Sequence, residues 1–119
     1  MTTLVYGLAV AGRSTARFLA SCGERIVLAD DRVSAEHQEF AASIGAELLE
    51  GPDAAMACAR RMGEFGQVAP SPGIPESHPV IASAIRANVE LVSEIELAYR
   101  HEQASGAPRP IVAITGTDG

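Results

Sequence analysis

The chain has 119 residues, a length that suits one domain with a single core. Its formal net charge of −6 argues against a nucleic-acid partner, because such a partner needs a basic surface. The apolar runs are far shorter than the roughly 20 residues of a membrane span, and no secretory leader is visible. We therefore expect a cytoplasmic monomer without membrane contact. Cys22 and Cys58 lack metal-ligand spacing, and no metal site is predicted.

The order of the predicted elements indicates an α/β fold. Short apolar runs predict strands near 4–6, 25–29, 46–49, 67–70, 90–92 and 111–114. Helical patterns lie between them, near 11–22, 35–43, 54–62, from 78–79 onward, and near 93–102. This alternation predicts a Rossmann-like three-layer domain, with a mostly parallel sheet and helices on both faces. In such a sheet the loops 7–13, 30–33, 70–77 and 115–119 share the carboxyl edge, where ligands bind.

The first strand runs into a glycine turn that opens a helix. Gly7 and Gly12 match the first and third glycines of the dinucleotide fingerprint, while Ala9 stands at the second. The first N–H groups of a helix have no internal partner, so this turn predicts an anion site. The methyl group of Ala9 keeps a pyrophosphate further out and argues against NAD or NADP. A turn without any ligand is the alternative interpretation.

The second strand ends in Asp30-Asp31-Arg32. Asp30 follows Gly7 at close to the roughly 20-residue spacing of an acid that contacts a nucleotide. This spacing favours a nucleotide site at the same edge of the sheet.

The fourth strand leads into a loop, Pro70-Ser71-Pro72-Gly73-Ile74-Pro75. Three prolines make the loop stiff, and Gly73 offers a surface against which a flat base fits. A rigid connection without ligand contact is the alternative. The three histidines, His37, His78 and His101, are isolated in the sequence, and we expect surface or capping roles for them.

The last nine residues read as a strand and then a glycine loop. In a phosphate-binding loop, the next residues are a lysine and a serine or threonine. We expect residues 1–110 to form one domain and residues 111–119 to begin a second, truncated domain. Its incomplete phosphate loop is predicted at Thr115, Gly116, Thr117, Asp118 and Gly119.

Taken together, these stretches resemble the N-terminal domain of the Mur ligases. The resemblance rests on residues 7–14, 30–32 and 70–75, on Ser93-Glu94-Ile95-Glu96-Leu97, and on residues 111–119. It covers the whole chain, and the motifs follow in the same order. The sequence departs from the family at Ala9, where glycine is usual, and at Asp118, where asparagine is common.

The resemblance implies an ATP- and Mg²⁺-dependent ligase of peptidoglycan synthesis. The 70–75 loop and the 93–97 stretch favour the family member that joins D-glutamate to UDP-N-acetylmuramoyl-L-alanine through an acyl phosphate. Of its three domains, the first binds the UDP end of the substrate and the central one binds ATP. The resemblance implies that residues 1–110 are the first domain and that residues 111–119 begin the truncated central ATP-binding domain. The chain alone should therefore be inactive and should hold neither ATP nor Mg²⁺.

The resemblance also implies a set of substrate contacts. The diphosphate is expected on the amides of Val10, Ala11 and Gly12. Uracil presents its N3–H to Asp30 and a carbonyl to the Asp31 amide, and it lies between Ala9 and Gly73. The remaining contacts are expected from Arg32, Ser71 and Pro72. No residue of the chain is expected to be catalytic.

Two alternatives remain open. The first is an NAD-binding domain of a dehydrogenase, which Gly7, Gly12 and Asp30 favour and Ala9 opposes. The second is a non-catalytic module that senses a nucleotide. The sequence leaves open whether Asp30 or Asp31 contacts the base.

Overall fold

A computed structural model describes residues 1–49 and 53–104 of the chain, the last four by their backbone alone. The strands are β1 (Thr2–Tyr6), β2 (Arg25–Ala29), β3 (Glu47–Leu49), β4 (Gln67–Pro70) and β5 (Glu90–Leu91). The helices are α1 (Val10–Ser21), α2 (Ala35–Ser43), α3 (Ala54–Arg60), α4 (Pro79–Arg86) and α5 (Glu94–Ala104), with a short 3₁₀ helix at Met62–Glu64. The elements expected in this part of the chain are all present. The sixth strand at 111–114, the boundary after residue 110 and the loop at 115–119 lie outside the described residues.

The strands of the described residues form one sheet in the order β3-β2-β1-β4-β5. Every neighbouring pair is parallel, with Tyr6 of β1 in register with Ala29 of β2 and Pro70 of β4. Parallel strands that are covered on both faces consist of continuous apolar runs. Accordingly, Leu4, Val5 and Tyr6 are all fully buried. The predicted Rossmann-like α/β fold is confirmed.

Two hydrophobic clusters, one on each face of the sheet, show the three layers. On one face, Val5 and Leu28 lie in a cluster with residues of α1, α2 and α5. On the other face, Leu4 and Val27 lie in a cluster with residues of α3 and α4. Helices therefore cover both faces of the sheet.

The chain reverses its direction across the sheet at β1. It passes from β1 to β2 and β3 on one side, then returns to add β4 and β5 on the other. The carboxyl ends of β1 and β4 are therefore neighbours, and the N–H of Ser71 donates to the carbonyl oxygen of Tyr6 at 2.8 Å. Ligands of open α/β sheets bind at such a switch point. None of the helices described, over 1–49 and 53–104, has the length and apolar character to cross a bilayer.

Candidate nucleotide-binding site

The turn after β1 requires glycine at position 7. Gly7 has a φ of +102°, a conformation that L side chains rarely adopt, and its N–H donates to the Ala29 carbonyl oxygen at 2.8 Å. A Cβ at this position would lie 2.6 Å from the Cβ of Ser71. Gly7 therefore permits both the backbone turn and the close approach of the 70–75 loop.

Gly12 lets the first turn of α1 pack against the same glycine turn. A Cβ on Gly12 would lie 1.7 Å from the carbonyl oxygen of Gly7. No side chain fits in that space, so the spacing of these two glycines fixes where α1 starts relative to β1. Close packing of helix against strand is the role of the third glycine in the fingerprint.

The N-terminus of α1 faces the carboxyl edge without a polar cap. Ala9 is the N-cap residue, and no side chain of the described residues accepts a hydrogen bond there. Its φ of −72° and ψ of −174° are ordinary for any residue, so alanine fits the position without strain. Val10 is 71% exposed. The positive end of the helix dipole and the first amides are therefore open to an anion.

Asp30 joins two loops at this edge. Its Oδ2 accepts from the N–H of Leu8 at 2.6 Å, and its Oδ1 accepts from the N–H of Arg32 at 2.9 Å. A carboxylate has about four lone-pair sites, so the two oxygens retain capacity for a ligand donor. Asp30 therefore fixes the glycine turn as well as lying where a base contact was predicted.

The side chain of Asp31 has different partners from that of Asp30. Its Oδ1 accepts from the hydroxyl of Tyr6 at 2.6 Å, and both of its oxygens lie 3.0 Å from Nε2 of His78. The Tyr6 hydroxyl, and then His78, hold the pKa of Asp31 below its usual value. Burial and the neighbouring Asp31 carboxylate raise the pKa of Tyr6. The phenol therefore remains a hydrogen-bond donor at physiological pH.

His78 caps α4 as predicted, since its Nδ1 accepts from the N–H of Val80 at 3.1 Å. It also has contacts with residues far from it in the sequence. The ring also lies 4.9 Å from the ring of Tyr6, and the side chain is only 10% exposed. The parallel sheet brings the end of β1 and the start of α4 together, although the two are more than 70 residues apart. His37 takes part in the cap of α2, as predicted, together with Ser34. The side chain of His101 lies outside the described part.

The 70–75 loop lies across the switch point from α1. Within the loop, Ser71 is buried, whereas Pro72 and Gly73 are exposed. No atom of the described residues lies within 4 Å of the Cβ that a side chain would add to Gly73. The loop is therefore open at position 73.

A groove begins beside the anion site and runs between α1 and α5. Its volume is about 640 Å³, and it is lined by Val10, Ala11 and Ser14 on one side and by Glu94, Leu97 and Ala98 on the other. Glu94 reaches across to α1, where the hydroxyl of Thr15 donates to its Oε2 at 3.2 Å. The volume lies in the range of small-molecule sites. The amides at the start of α1 are therefore continuous with space for a larger ligand.

The structure brings ten of the predicted site residues to one edge of the sheet, at the N-terminus of α1 and in two adjoining loops. They are Ala9, Val10, Ala11, Gly12, Asp30, Asp31, Arg32, Ser71, Pro72 and Gly73. The predicted loop at 115–119 lies outside the described residues. Tyr6 and His78 were missed as members of this region. The one sequence signal was a tyrosine at the end of a buried strand, whose hydroxyl must find a partner.

The strand order, the glycine turn at residues 7–12 and the acidic loop at residues 30–32 together define the chain as a Rossmann-like α/β domain. Comparison with known proteins identifies the family within this class of fold. Residues 1–93 match the family described as Mur ligase MurD-like, N-terminal domain. The chain belongs to this family, as the resemblance predicted.

Curated relatives agree with the family match. The UDP-N-acetylmuramoylalanine–D-glutamate ligase of Pelobacter propionicus is 43% identical over 120 residues. The ligase of the same name from Syntrophus aciditrophicus is 34% identical over 116 residues. Each alignment covers 98% of this chain but only 25% and 24% of the relative. The chain thus spans about a quarter of the length of these relatives.

Solved structures support the fold. A UDP-N-acetylmuramate:L-alanyl-gamma-D-glutamyl-meso-diaminopimelate ligase from Neisseria meningitides aligns with a TM-score of 0.67 and 13% identity, over 83% of this chain and 30% of that one. A saccharopine dehydrogenase from Saccharomyces cerevisiae aligns with a TM-score of 0.61 and 21% identity, over 77% and 21%. Because ligase and dehydrogenase domains share this architecture, the fold alone does not separate their ligands.

Proposed function

We propose that this chain is the UDP-binding domain of a ligase that adds D-glutamate to UDP-N-acetylmuramoyl-L-alanine in peptidoglycan synthesis. Its curated relatives are named for that reaction. In this proposal residues 1–110 hold the UDP end of the substrate. The segment 111–119 begins the region that binds ATP and Mg²⁺, with Thr115, Gly116, Thr117, Asp118 and Gly119 in the phosphate loop. The protein acts in the cytoplasm as a monomer, and residues 1–119 alone carry out no ligation.

The observation that carries the proposal is the open N-terminus of α1 at the switch point. A chain of net charge −6 does not attract an anion through its overall field, so local groups must hold it. The amides of Val10, Ala11 and Gly12 and the helix dipole supply such groups. The first turn of α1 itself carries no acidic side chain.

The acidic loop matches the hydrogen-bonding edge of uracil. Uracil presents one N3–H donor between two carbonyl acceptors. The carboxylate of Asp30 accepts from N3–H through a lone pair that Leu8 and Arg32 leave free, and the N–H of Asp31 donates to a carbonyl oxygen. The cation of Arg32 offsets the charge of the diphosphate.

Two exposed positions without a large side chain are available to the faces of the ring. Ala9 lies at the start of α1 and Gly73 lies in the 70–75 loop. We assign the two faces of the uracil to them, with Ser71 and Pro72 forming the wall of the pocket. The dehydrogenase alternative uses the same turn and instead places Asp30 on a ribose hydroxyl.

Calorimetric titrations with UDP, UMP and NADH test the proposal. We expect binding of UDP, weaker binding of UMP, and no heat from NADH. Ala9→Leu should abolish UDP binding, because a large side chain then fills the space of the ring. Ala59→Leu is the matched control, since Ala59 is exposed near the end of α3 and away from the carboxyl edge. Binding of NADH without binding of UDP would overturn the proposal in favour of the dehydrogenase alternative.

A further inference from the structure

Tyr6 and His78 make no proposed contact with the substrate, but both are hydrogen-bonded to Asp31 in the acidic loop. We propose that Tyr6 and His78 are positioning residues, which fix Asp31 and thereby set the backbone of residues 30–32 for base recognition. The inference rests on the proposed function for its ligand, although the restraint on the loop is testable without any ligand.

Tyr6 supplies a rigid anchor in the middle of the sheet. It is the last residue of β1, the central strand, and it is fully buried. Its backbone is fixed by the pairing of β1 with β2 and β4. Its hydroxyl donates to Oδ1 of Asp31 at 2.6 Å, a short bond to a charged acceptor. The hydrogen bond thus ties the Asp31 side chain to the sheet.

His78 supplies the second anchor, and its hydrogen bonds specify its tautomer. Nδ1 must be unprotonated because it accepts from the N–H of Val80. The ring proton is therefore on Nε2, which lies 3.0 Å from both oxygens of Asp31 and donates to them. One imidazole thus connects the N-terminus of α4 to the acidic loop. Its contact with the ring of Tyr6 restricts how far it swings.

The two aspartates hold the loop from opposite sides. Asp30 is bonded to the glycine turn through Leu8, and Asp31 is bonded to Tyr6 and His78. The peptide between them carries the Asp31 N–H that is proposed to donate to the base. Removal of one anchor leaves this peptide free to rotate about the other. If the loop then occupies its binding geometry about one tenth of the time, the apparent Kd rises about tenfold.

The test combines two variants and one control. Tyr6→Phe removes the hydroxyl and keeps the ring. His78→Asn keeps a side-chain oxygen able to cap α4, because asparagine is a favourable N-cap residue, but it is too short to reach Asp31. Tyr99→Phe removes the only other tyrosine hydroxyl of the chain, from a residue that is 45% exposed on α5. Each protein is compared with the wild type by ¹⁵N relaxation of the amides of residues 30–33 without ligand, and by calorimetry with UDP.

We expect both variants to increase the motion of residues 30–33 and to raise the Kd for UDP about tenfold. Tyr99→Phe should match the wild type in both measurements. Unchanged relaxation in both variants, or increased motion with an unchanged Kd, would overturn the inference. A wild type that shows no UDP binding would refute the proposed function instead, and relaxation alone would then decide whether the two residues restrain the loop. If Tyr6→Phe does not fold, His78→Asn carries the test, since residue 78 lies at the N-terminus of α4 and outside the fully buried core.

Discussion

The substitution Asp30→Asn separates the two roles that the structure gives to this side chain. An asparagine has one oxygen and one NH₂ group where the aspartate has two acceptors. One of the two N–H groups, from Leu8 or from Arg32, then faces another donor. Leu8 is buried, whereas Arg32 is exposed and its N–H can turn to water. The oxygen should therefore face Leu8, and the NH₂ group should face Arg32.

The expected cost follows from this orientation. A hydrogen bond to a charged group contributes about 1.5–3 kcal/mol, and the buried bond to Leu8 is kept in neutral form. The free energy of unfolding should therefore fall by about 1–2 kcal/mol, less than the loss of a whole charged hydrogen bond would cost. The lost acceptor for N3–H should weaken UDP binding about ten- to a hundredfold. Asp53→Asn is the control, because Asp53 is exposed at the start of α3 and its side chain makes no capping hydrogen bond within the described residues.

Urea unfolding and calorimetry with UDP measure the two effects separately. An Asp30→Asn variant as stable as the wild type would refute the bond to Leu8 as a determinant of the turn. Loss of stability with unchanged UDP binding would show that Asp30 supports the turn while another group, Asp31 or the 70–75 loop, contacts the base.

Three further predictions concern the same edge. Gly12→Ala should lower the free energy of unfolding by about 3 kcal/mol or more, since its Cβ would lie 1.7 Å from the Gly7 oxygen. Chemical denaturation measures this change. The control Gly63→Ala should be close to neutral, because no described atom lies within 4 Å of the added Cβ. Asp31→Asn should lose stability at neutral pH but not in acid. The pKa of Asp31 is lowered in the folded chain, chiefly by the Tyr6 hydroxyl. The ionised side chain therefore contributes to folding stability above about pH 4, where a free aspartate titrates, and this contribution is lost as the pH falls further. Equal differences in stability between variant and wild type at pH 7 and at pH 3 would contradict this. The pKa of Tyr6 is raised by burial and by Asp31, so Tyr6 should stay protonated at a pH near the ordinary tyrosine value of 10.0. An absorbance titration through that pH should therefore give the same tyrosinate signal in the wild type and in Tyr6→Phe. A larger signal in the wild type would show that Tyr6 ionises in that pH range.

The sequence predicted the architecture because its signals are local and repeated. Apolar runs alternate with helical patterns, and glycine or proline marks most boundaries, so the parallel sheet with two covered faces followed from periodicity. The three loops at the carboxyl edge were predicted from the same argument, since parallel strands end on one side. The spacing of Gly7 and Gly12 indicated the turn.

Side-chain partners were less accessible from the sequence. Asp30 was predicted as a base contact, but its bond to the Leu8 amide depends on how closely the end of β2 approaches the glycine turn. The bonds from Tyr6 and His78 to Asp31 join three segments far apart in the chain, and no spacing rule connects them. Such contacts follow only from the packed fold. The steric need for glycine at position 12 likewise arises from a carbonyl oxygen of a neighbouring turn.

An amide titration of the ¹⁵N-labelled chain with UDP tests the central claim most directly. The claim is that the open N-terminus of α1, the acidic loop and the 70–75 loop form one UDP site at the switch point. We predict saturable chemical-shift changes that are largest at residues 9–12, 30–32, 71 and 73, with little change at Gly23 and Gly45 near the opposite edge of the sheet. Saturable changes centred elsewhere, or no changes at UDP concentrations that saturate a curated relative, would contradict it.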